Sequence, residues 1–207
     1  MTAIYHITHI RNLPNILKDN GLWCDRLATQ RGLAFVNIAH PHIKERRMQK
    51  QVPCAPGGCV ADYVPFYFAP RSPMLYAIHR RNVAAYQEGQ ALILHLVSTV
   101  EAVQTAGIPF VFTDGHAEMD LSRFFTSLTA LNQVDWDVMK SRYWNDTPQD
   151  GDRKRRRQAE FLVQRFFPFN LFHAIGVMNQ TVADQVRALI PLEMPVPVIR
   201  LEPAWYY

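Results

Sequence analysis

The sequence predicts one α+β domain spanning residues 1–207. Three observations carry that reading. Segments with strand alternation and segments with helix-start signals are interspersed without a regular β-α-β order, which favours α+β over a doubly wound sheet. A chain of 207 residues is the length of one domain with a sizeable core. A hydrophobic fraction of 48% beside a charged fraction of 19% excludes a chain disordered throughout.

Ala3 to Ile10 alternates and reads as a strand. Asn12 then caps a short helix with Pro14 in its first turn and Gly21 just past its end. His40 to Lys50 is basic and reads as a helix, and Val52 to Gly58 is a Pro/Gly loop. Tyr63 to Ala69 is an aromatic strand in which Pro65 marks an edge or an irregular start. Ser72 and Pro73 place an N-cap and a first-turn proline on the next helix. Ala91 to Ser98 is a buried strand, Thr99 to Ala106 a short helix, and Pro109 to Thr113 a strand that ends in an Asp114-Gly115 turn. Leu121 to Met139 reads as mostly helical, and Asn145 to Asp152 as a loop. The remainder is a strand over Gln158–Arg165, a strand over Leu171–Met178, a helix over Thr181–Ile190 and a last strand over Val196–Leu201.

A net charge of +4 suits an anionic partner without requiring one. Three cysteines, an odd number, argue against a disulfide framework, and Cys54 and Cys59 are too widely spaced for a zinc knuckle. No metal is expected. The N-terminus lacks a signal-peptide pattern and no apolar run reaches the length of a spanning helix, so a cytoplasmic protein with no membrane association is expected. Gly-rich phosphate loops of the Rossmann and P-loop kinds are absent, as is a G-x-S-x-G elbow. A metal-nuclease pattern fails because Leu162, not lysine, follows Glu160 two residues on.

The run RKRRRQAEFLV (Arg153 to Val163) places five cations before a glutamate that opens an apolar stretch. On a strand Gln158 and Glu160 would share one face while Ala159, Phe161 and Val163 point to the core. From local pattern, Glu160 is either a surface partner of an arginine or a catalytic acid of the Gln-x-Glu kind found in ADP-ribosyltransferases. The cations Lys44, Lys50, Arg153, Lys154, Arg155 and Arg156 are candidates for gripping nucleic-acid phosphate, against the plainer reading of solvated faces. Phe66, Tyr67, Phe167 and Trp144 are candidates for base stacking. In YVPFYFAPRSPMLY, Arg71 stands at a strand-to-helix junction whose free N–H groups suit an anion. The aromatics there suit a flat ring, although core packing explains them equally well. His6 and Thr8 share a strand face, where a lone histidine is more often structural.

The blocks YHITHIRNLPNIL, HPHIKERR, DYVPFYFAPRSPMLYAI, FTDGHA and RRRQAEFLV, taken in order, resemble the DarT family of bacterial DNA ADP-ribosyltransferase toxins along nearly the whole chain. The resemblance implies an ADP-ribosyltransferase-like fold. In it, two roughly perpendicular antiparallel sheets are flanked by helices, and NAD lies in the cleft between them. It implies transfer of ADP-ribose from NAD to a base of single-stranded DNA, in most relatives a thymine, and a macrodomain antitoxin that reverses the modification. Residue by residue, it implies that His6 and Thr8 bind NAD, that Tyr67, Arg71, Ser72 and Met74 hold nicotinamide and phosphates, and that Glu160 is the catalytic glutamate. It also implies an arginine from KERRMQKQVP that acts on the target base. Arg46, Arg47 and Lys50 all remain open for that role, because Gln51 stands where a basic residue is common, as a natural departure or an attenuating one.

Overall fold

Apolar alternation along the N-terminal segment builds β1 (Ala3–His9). The structure is a computed structural model that describes residues 1–191, 193–195 and 197–207. A 3-10 turn over Ile10–Asn12 leads into α1 (Leu13–Lys18), with Pro14 in its first turn. β2 (Gly21–Trp23), α2 (Asp25–Gln30) and α3 (Pro41–Gln49) follow, then β3 (Tyr63–Tyr67) and α4 (Pro73–His79). The Ser72 hydroxyl caps α4 by accepting from Leu75 N at 3.1 Å, as the sequence predicts. β4 (Ile93–Thr99), α5 (Val100–Thr105), β5 (Phe110–Thr113), β6 (Phe124–Phe125), α6 (Trp136–Lys140) and α7 (Arg153–Arg157) complete the middle of the chain. The last elements are β7 (Glu160–Gln164), β8 (Phe166–Pro168), β9 (Ala174–Val177), α8 (Gln180–Leu189) and β10 (Val198–Leu201). Position 196, the expected start of the last strand, lies outside the described residues.

Eight strands hydrogen-bond in the order β10-β9-β4-β1-β3-β7-β5-β6, and β2 pairs with β8 in a separate ribbon. All neighbours are antiparallel except β9 and β10, which run parallel. β1 meets β4 along its whole length but meets β3 only at Tyr5↔Tyr67. The sheet therefore falls into two four-stranded halves joined at one point. Pro65 supplies the reason: it has no N–H to continue the ladder, and its carbonyl is taken by the His6 ring, Nδ1 to O 2.8 Å. Apolar side chains pack on both faces. Ile4, Leu94, Leu96, Phe161 and Val163 belong to the largest cluster, Ile7, Ile93, Leu75 and Ile78 to a second, and Leu162, Val111 and Tyr63 to a third.

Three sequence expectations need correction. The expected helix over Leu121–Met139 is broken into β6, a 3-10 helix over Leu128–Gln133, and α6. The Ser127 and Asp135 side chains accept from Thr129 N and Val138 N, and each restarts the backbone as a new cap. The strand expected from Gln158 begins instead at Glu160, because Gln158 is the C-cap of α7 and donates to Lys154 O. Gln158 and Glu160 thus do not share a strand face. Asn12 makes no side-chain cap either; its amide does other work, described below.

His95 on β4 is fully buried, with Nε2 3.0 Å from Pro70 O. Burial lowers its pKa from 6.5 to about 4. The unfolded chain takes up this proton near 6.5 and the folded chain only near 4. Stability is therefore full above the unfolded value and is lost as pH falls through that window. The expected loss is about 2 kcal/mol between pH 7 and pH 5. His6 and His9 are shifted in the same direction by burial and add to it. Urea midpoints across that range should fall for the native chain and fall less for His95→Gln; equal slopes in both would refute the assignment.

Candidate active site

Where β1 and β3 part, a cleft of about 210 Å³ opens, and His6, Thr8, Tyr67, Met74, Asn12, Asp25 and Lys44 are among its lining residues. The Nδ1–H of His6 donates to Pro65 O, so in the neutral ring Nε2 is left as an acceptor. Burial lowers the His6 pKa and favours that neutral form. Asn12 donates to the Thr8 hydroxyl at 3.1 Å and to Val36 O at 3.0 Å, and accepts from Val36 N at 2.7 Å. Asn15 donates to Ala34 O at 2.6 Å. Two asparagines on α1 and the turn before it thereby hold the 33–37 segment over the cleft. Among the described residues no three His, Cys, Asp or Glu side chains gather to hold a metal ion.

Beside this cleft, Glu160 opens β7 directly across from Tyr67 on β3. It is 2% exposed. The guanidinium of Arg47, on α3, donates through Nη1 to both carboxylate oxygens at 2.9 and 3.1 Å. Ala117 N adds a third hydrogen bond to Oε1 at 3.1 Å. Burial works against the Arg47 charge, but Glu160 and Asp25 outweigh it, so its pKa is raised and the group stays cationic. The second terminal nitrogen of Arg47, Nη2, is buried without a protein partner. Burial, and then the Glu160 charge, push the Tyr67 phenol well above its ordinary value, so it remains protonated. Glu160 itself is not part of the cleft lining; Tyr67, which lines the cleft, is its cross-strand neighbour.

The loop after β5 carries the Ala117 N–H. Thr113 Oγ1 accepts from Glu160 N at 3.1 Å and donates to Gly115 O at 2.6 Å. Asp114 accepts from Arg123 N, Arg123 Nε and Arg155 Nη1. A Cβ at position 115 would meet the Arg155 side chain, so a larger residue there would displace that arginine from its place beside Asp114. His116, on the same loop, feels the charges of Glu160 and Arg47, and burial lowers its pKa.

The basic run before Glu160 serves this scaffold. Arg155 pairs with Asp114 and Asp152, Arg156 with Asp135, Asp150 and Asp152, and Lys154 with Asp146. Arg153 donates to Tyr143 O and Asn145 O. Three of the five adjacent cations, Lys154, Arg155 and Arg156, are neutralised by acidic partners, and Arg155 and Arg156 are thereby occupied rather than free for phosphate.

The other expected site residues scatter. Arg46 pairs with Glu118 at 2.5 Å, Lys50 with Asp120, and Lys44 with Asp25 at 2.9 Å. Gln51 is exposed and its amide faces Cys59 and Gln49, away from Glu160. Of the three cations left open by sequence, Arg47 alone reaches the carboxylate. Arg71 and Ser72 do not line the cleft: Ser72 is the cap of α4, and the Arg71 guanidinium lies 4.3 Å over the Tyr207 ring. Phe66 and Phe167 are core residues at 0% exposure and Trp144 is buried at 9%, so none of the three presents a ring to a base. Sequence reasoning missed Asn12, Asp25, Thr113 and Ala117. Asn12 carried a signal that was read as a cap; Ala117 acts through its backbone and carried none.

Residues 5–207 match the family described as DarT, ssDNA thymidine ADP-ribosyltransferase. A DNA ADP-ribosyl transferase of Thermus sp. (strain 2.9) is 45% identical over 208 residues, covering 100% of this chain and 96% of the relative. The solved structure of Thermus sp. 2.9 DarT in complex with ADP-ribosylated ssDNA superposes with a TM-score of 0.93 at 45% identity, covering 100% of this chain and 96% of that one. The same protein in complex with NAD+ gives 0.86 at 42%, covering 100% and 98%. A DNA ADP-ribosyl transferase-DNA ADP-ribosyl glycohydrolase fusion protein of Thermosipho africanus is 25% identical over 205 residues, 99% of this chain and 49% of the fusion. The family match runs through both halves of the sheet, the cleft and the Glu160–Arg47 pair, and the chain belongs to the DarT family of ssDNA thymidine ADP-ribosyltransferases.

Proposed function

We propose that residues 1–207 act as one ADP-ribosyltransferase domain, with NAD in the cleft between the sheet halves and Glu160 as the catalytic carboxylate for transfer to thymine in single-stranded DNA. The observation that carries this reading is the buried Glu160 carboxylate, placed across from the cleft-lining Tyr67 and held by Arg47 Nη1 and Ala117 N. The match of residues 5–207 to the family supports a single domain.

The nicotinamide leaves with the electron pair of its bond to the ribose, and positive charge develops at the anomeric carbon. The nearby carboxylate stabilises that charge most where it is largest, at the transition state. Glu160 also accepts the ribose hydroxyl that orients the sugar. His6, neutral with Nε2 as acceptor, and Thr8 bind the ribose side of NAD, and Tyr67 and Met74 pack on the nicotinamide. The thymine N3 then forms its bond to the same carbon, and its proton passes to solvent water. Arg47 is too firmly cationic to take that proton. Its role is to orient the base and stabilise the negative charge that grows on it. Such a base must leave the stack to reach the cleft, which favours single strands.

The Thermosipho fusion supports a glycohydrolase partner that reverses the modification, in the reading of a toxin opposed by a macrodomain antitoxin. NAD and DNA as substrates support action in the cytoplasm, and no described helix is long and apolar enough to cross a membrane.

Incubation with NAD and defined oligonucleotides, read by mass spectrometry, tests the function. A thymine-containing DNA strand should gain one ADP-ribose unit. Thymine-free DNA and the corresponding RNA should not. A gain on the thymine-free strand or on RNA moves the activity to another base or polymer, and binding without any gain leaves a nucleic-acid-binding module.

A further inference from the structure

We propose that the DNA strand flanking the target base runs through a second depression, bounded by Pro70, Arg71, Lys140, Arg142, Arg157 and Tyr207, with its phosphates against these cations. This rests on the reading of single-stranded DNA as substrate and deepens it, because the arginines of α7 that sequence suggested for the task are occupied internally.

The depression has a volume of about 550 Å³ and no acidic residue among its lining residues. The contrast with α7 is one of charge balance. Arg155 and Arg156 face Asp114, Asp135, Asp150 and Asp152. Among the described residues, Arg71, Lys140, Arg142 and Arg157 form no ion pair. Arg157 is 4% exposed, and its terminal nitrogens donate only to the neutral carbonyls of Val138, Met139 and Arg71. The Nε atoms of both Arg71 and Arg157 are buried without a partner. Burial, and the Arg71 charge beside it, lower the Arg157 pKa. A buried cation without a counter-ion is costly to the fold, and a phosphodiester supplies the missing charge. Arg71 is already positioned, its guanidinium carbon 4.3 Å from the centroid of the Tyr207 ring.

Aromatic side chains continue from this surface. Tyr207 packs on Tyr76 at 5.0 Å, and Tyr76 on Trp144 at 5.7 Å. Tyr76 is 38% exposed, and Tyr143, next to Arg142, is 75% exposed. Cations interleaved with accessible rings suit the alternating phosphates and bases of a single strand. The depression is also within reach of the chemistry. Arg157 lies three residues before Glu160 and Arg71 four after Tyr67, so neither Cα is more than roughly 11–15 Å from its partner.

The test compares the native chain with a Lys140→Gln, Arg142→Gln double variant, both positions being exposed. Initial rates of ADP-ribosylation are measured on a thymine-containing oligonucleotide with long flanks, at several salt concentrations. The variant should raise KM for the oligonucleotide roughly tenfold at low salt, and the log–log salt slope should fall by about 1.4. The KM for NAD, and NAD hydrolysis without DNA, should not change. An unchanged oligonucleotide KM and slope would overturn the proposed path, as would an effect confined to the KM for NAD, which would assign the cations to the co-substrate. If the native chain modifies no DNA at all, the reading of function fails. If it does so and the double variant matches it, only this path fails.

Discussion

Glu160→Ala is expected to lower kcat at least a hundredfold, a loss of about 3 kcal/mol or more of transition-state stabilisation. The reason is differential: the carboxylate interacts more strongly with the sugar as nicotinamide departs than with bound NAD. KM for NAD should therefore change far less than kcat. The same truncation leaves Arg47 buried and unpaired, and its Nη2 has no protein partner even now. Removing one member of a buried pair typically costs about 3–5 kcal/mol of stability, so loss of activity in this variant alone could reflect unfolding. Glu160→Gln separates the two effects. Its amide oxygen still accepts from Arg47 and Ala117, yet it carries no charge for the sugar. Urea denaturation should show a smaller stability loss for Gln than for Ala, while both fail in turnover. A Gln variant with native kcat would sink the assignment.

Arg47→Ala is expected to cost roughly a hundredfold or more in transfer to DNA, with a stability loss of about 3–5 kcal/mol from the stranded Glu160. The diagnostic readout is a ratio of two reactions. NAD hydrolysis requires charge stabilisation at the sugar alone, whereas transfer also requires a positioned thymine. Arg47→Ala should depress transfer more than hydrolysis, and Glu160→Ala should depress both together. Arg47→Lys keeps a cation but lacks the planar guanidinium whose Nη1 reaches both carboxylate oxygens. It should recover stability in part and transfer less. If Arg47→Ala lowers the two reactions by equal factors, its role is confined to holding Glu160.

The strands were largely legible in the sequence because alternation reports burial on a sheet face. β1, β3, β4, β5 and β7 lie within one or two residues of their expected positions. The segment after β5 was not. Its apolar residues suggest a helix, but Ser127 and Asp135 offer local side-chain hydrogen bonds that reset the backbone, and Phe125 stacks on Phe112 with ring centroids 5.2 Å apart. Such competition between local caps and helix period is decided by packing partners far away in the chain.

For the site, His6, Thr8, Tyr67 and Met74 were identified from their blocks, and the structure gathers all four in one cleft. Arg71 and Ser72 share the same block yet face elsewhere, because the chain turns between β3 and α4. The alternating pattern that buries a sheet, a glutamate that opens an apolar stretch, and a set of motifs in family order are all written in the linear chain. Which cation meets that glutamate is set in the folded chain. Arg46 and Lys50, four residues apart, lie on one side of one short helix and pair with Glu118 and Asp120, whereas Arg47 is turned away from that side and meets Glu160. The fold likewise sets that the middle of the densest basic run, Lys154 to Arg156, is neutralised internally, since the acids that pair with it are spread from Asp114 to Asp152. Pairing of charge depends on distance in space, which local sequence does not encode.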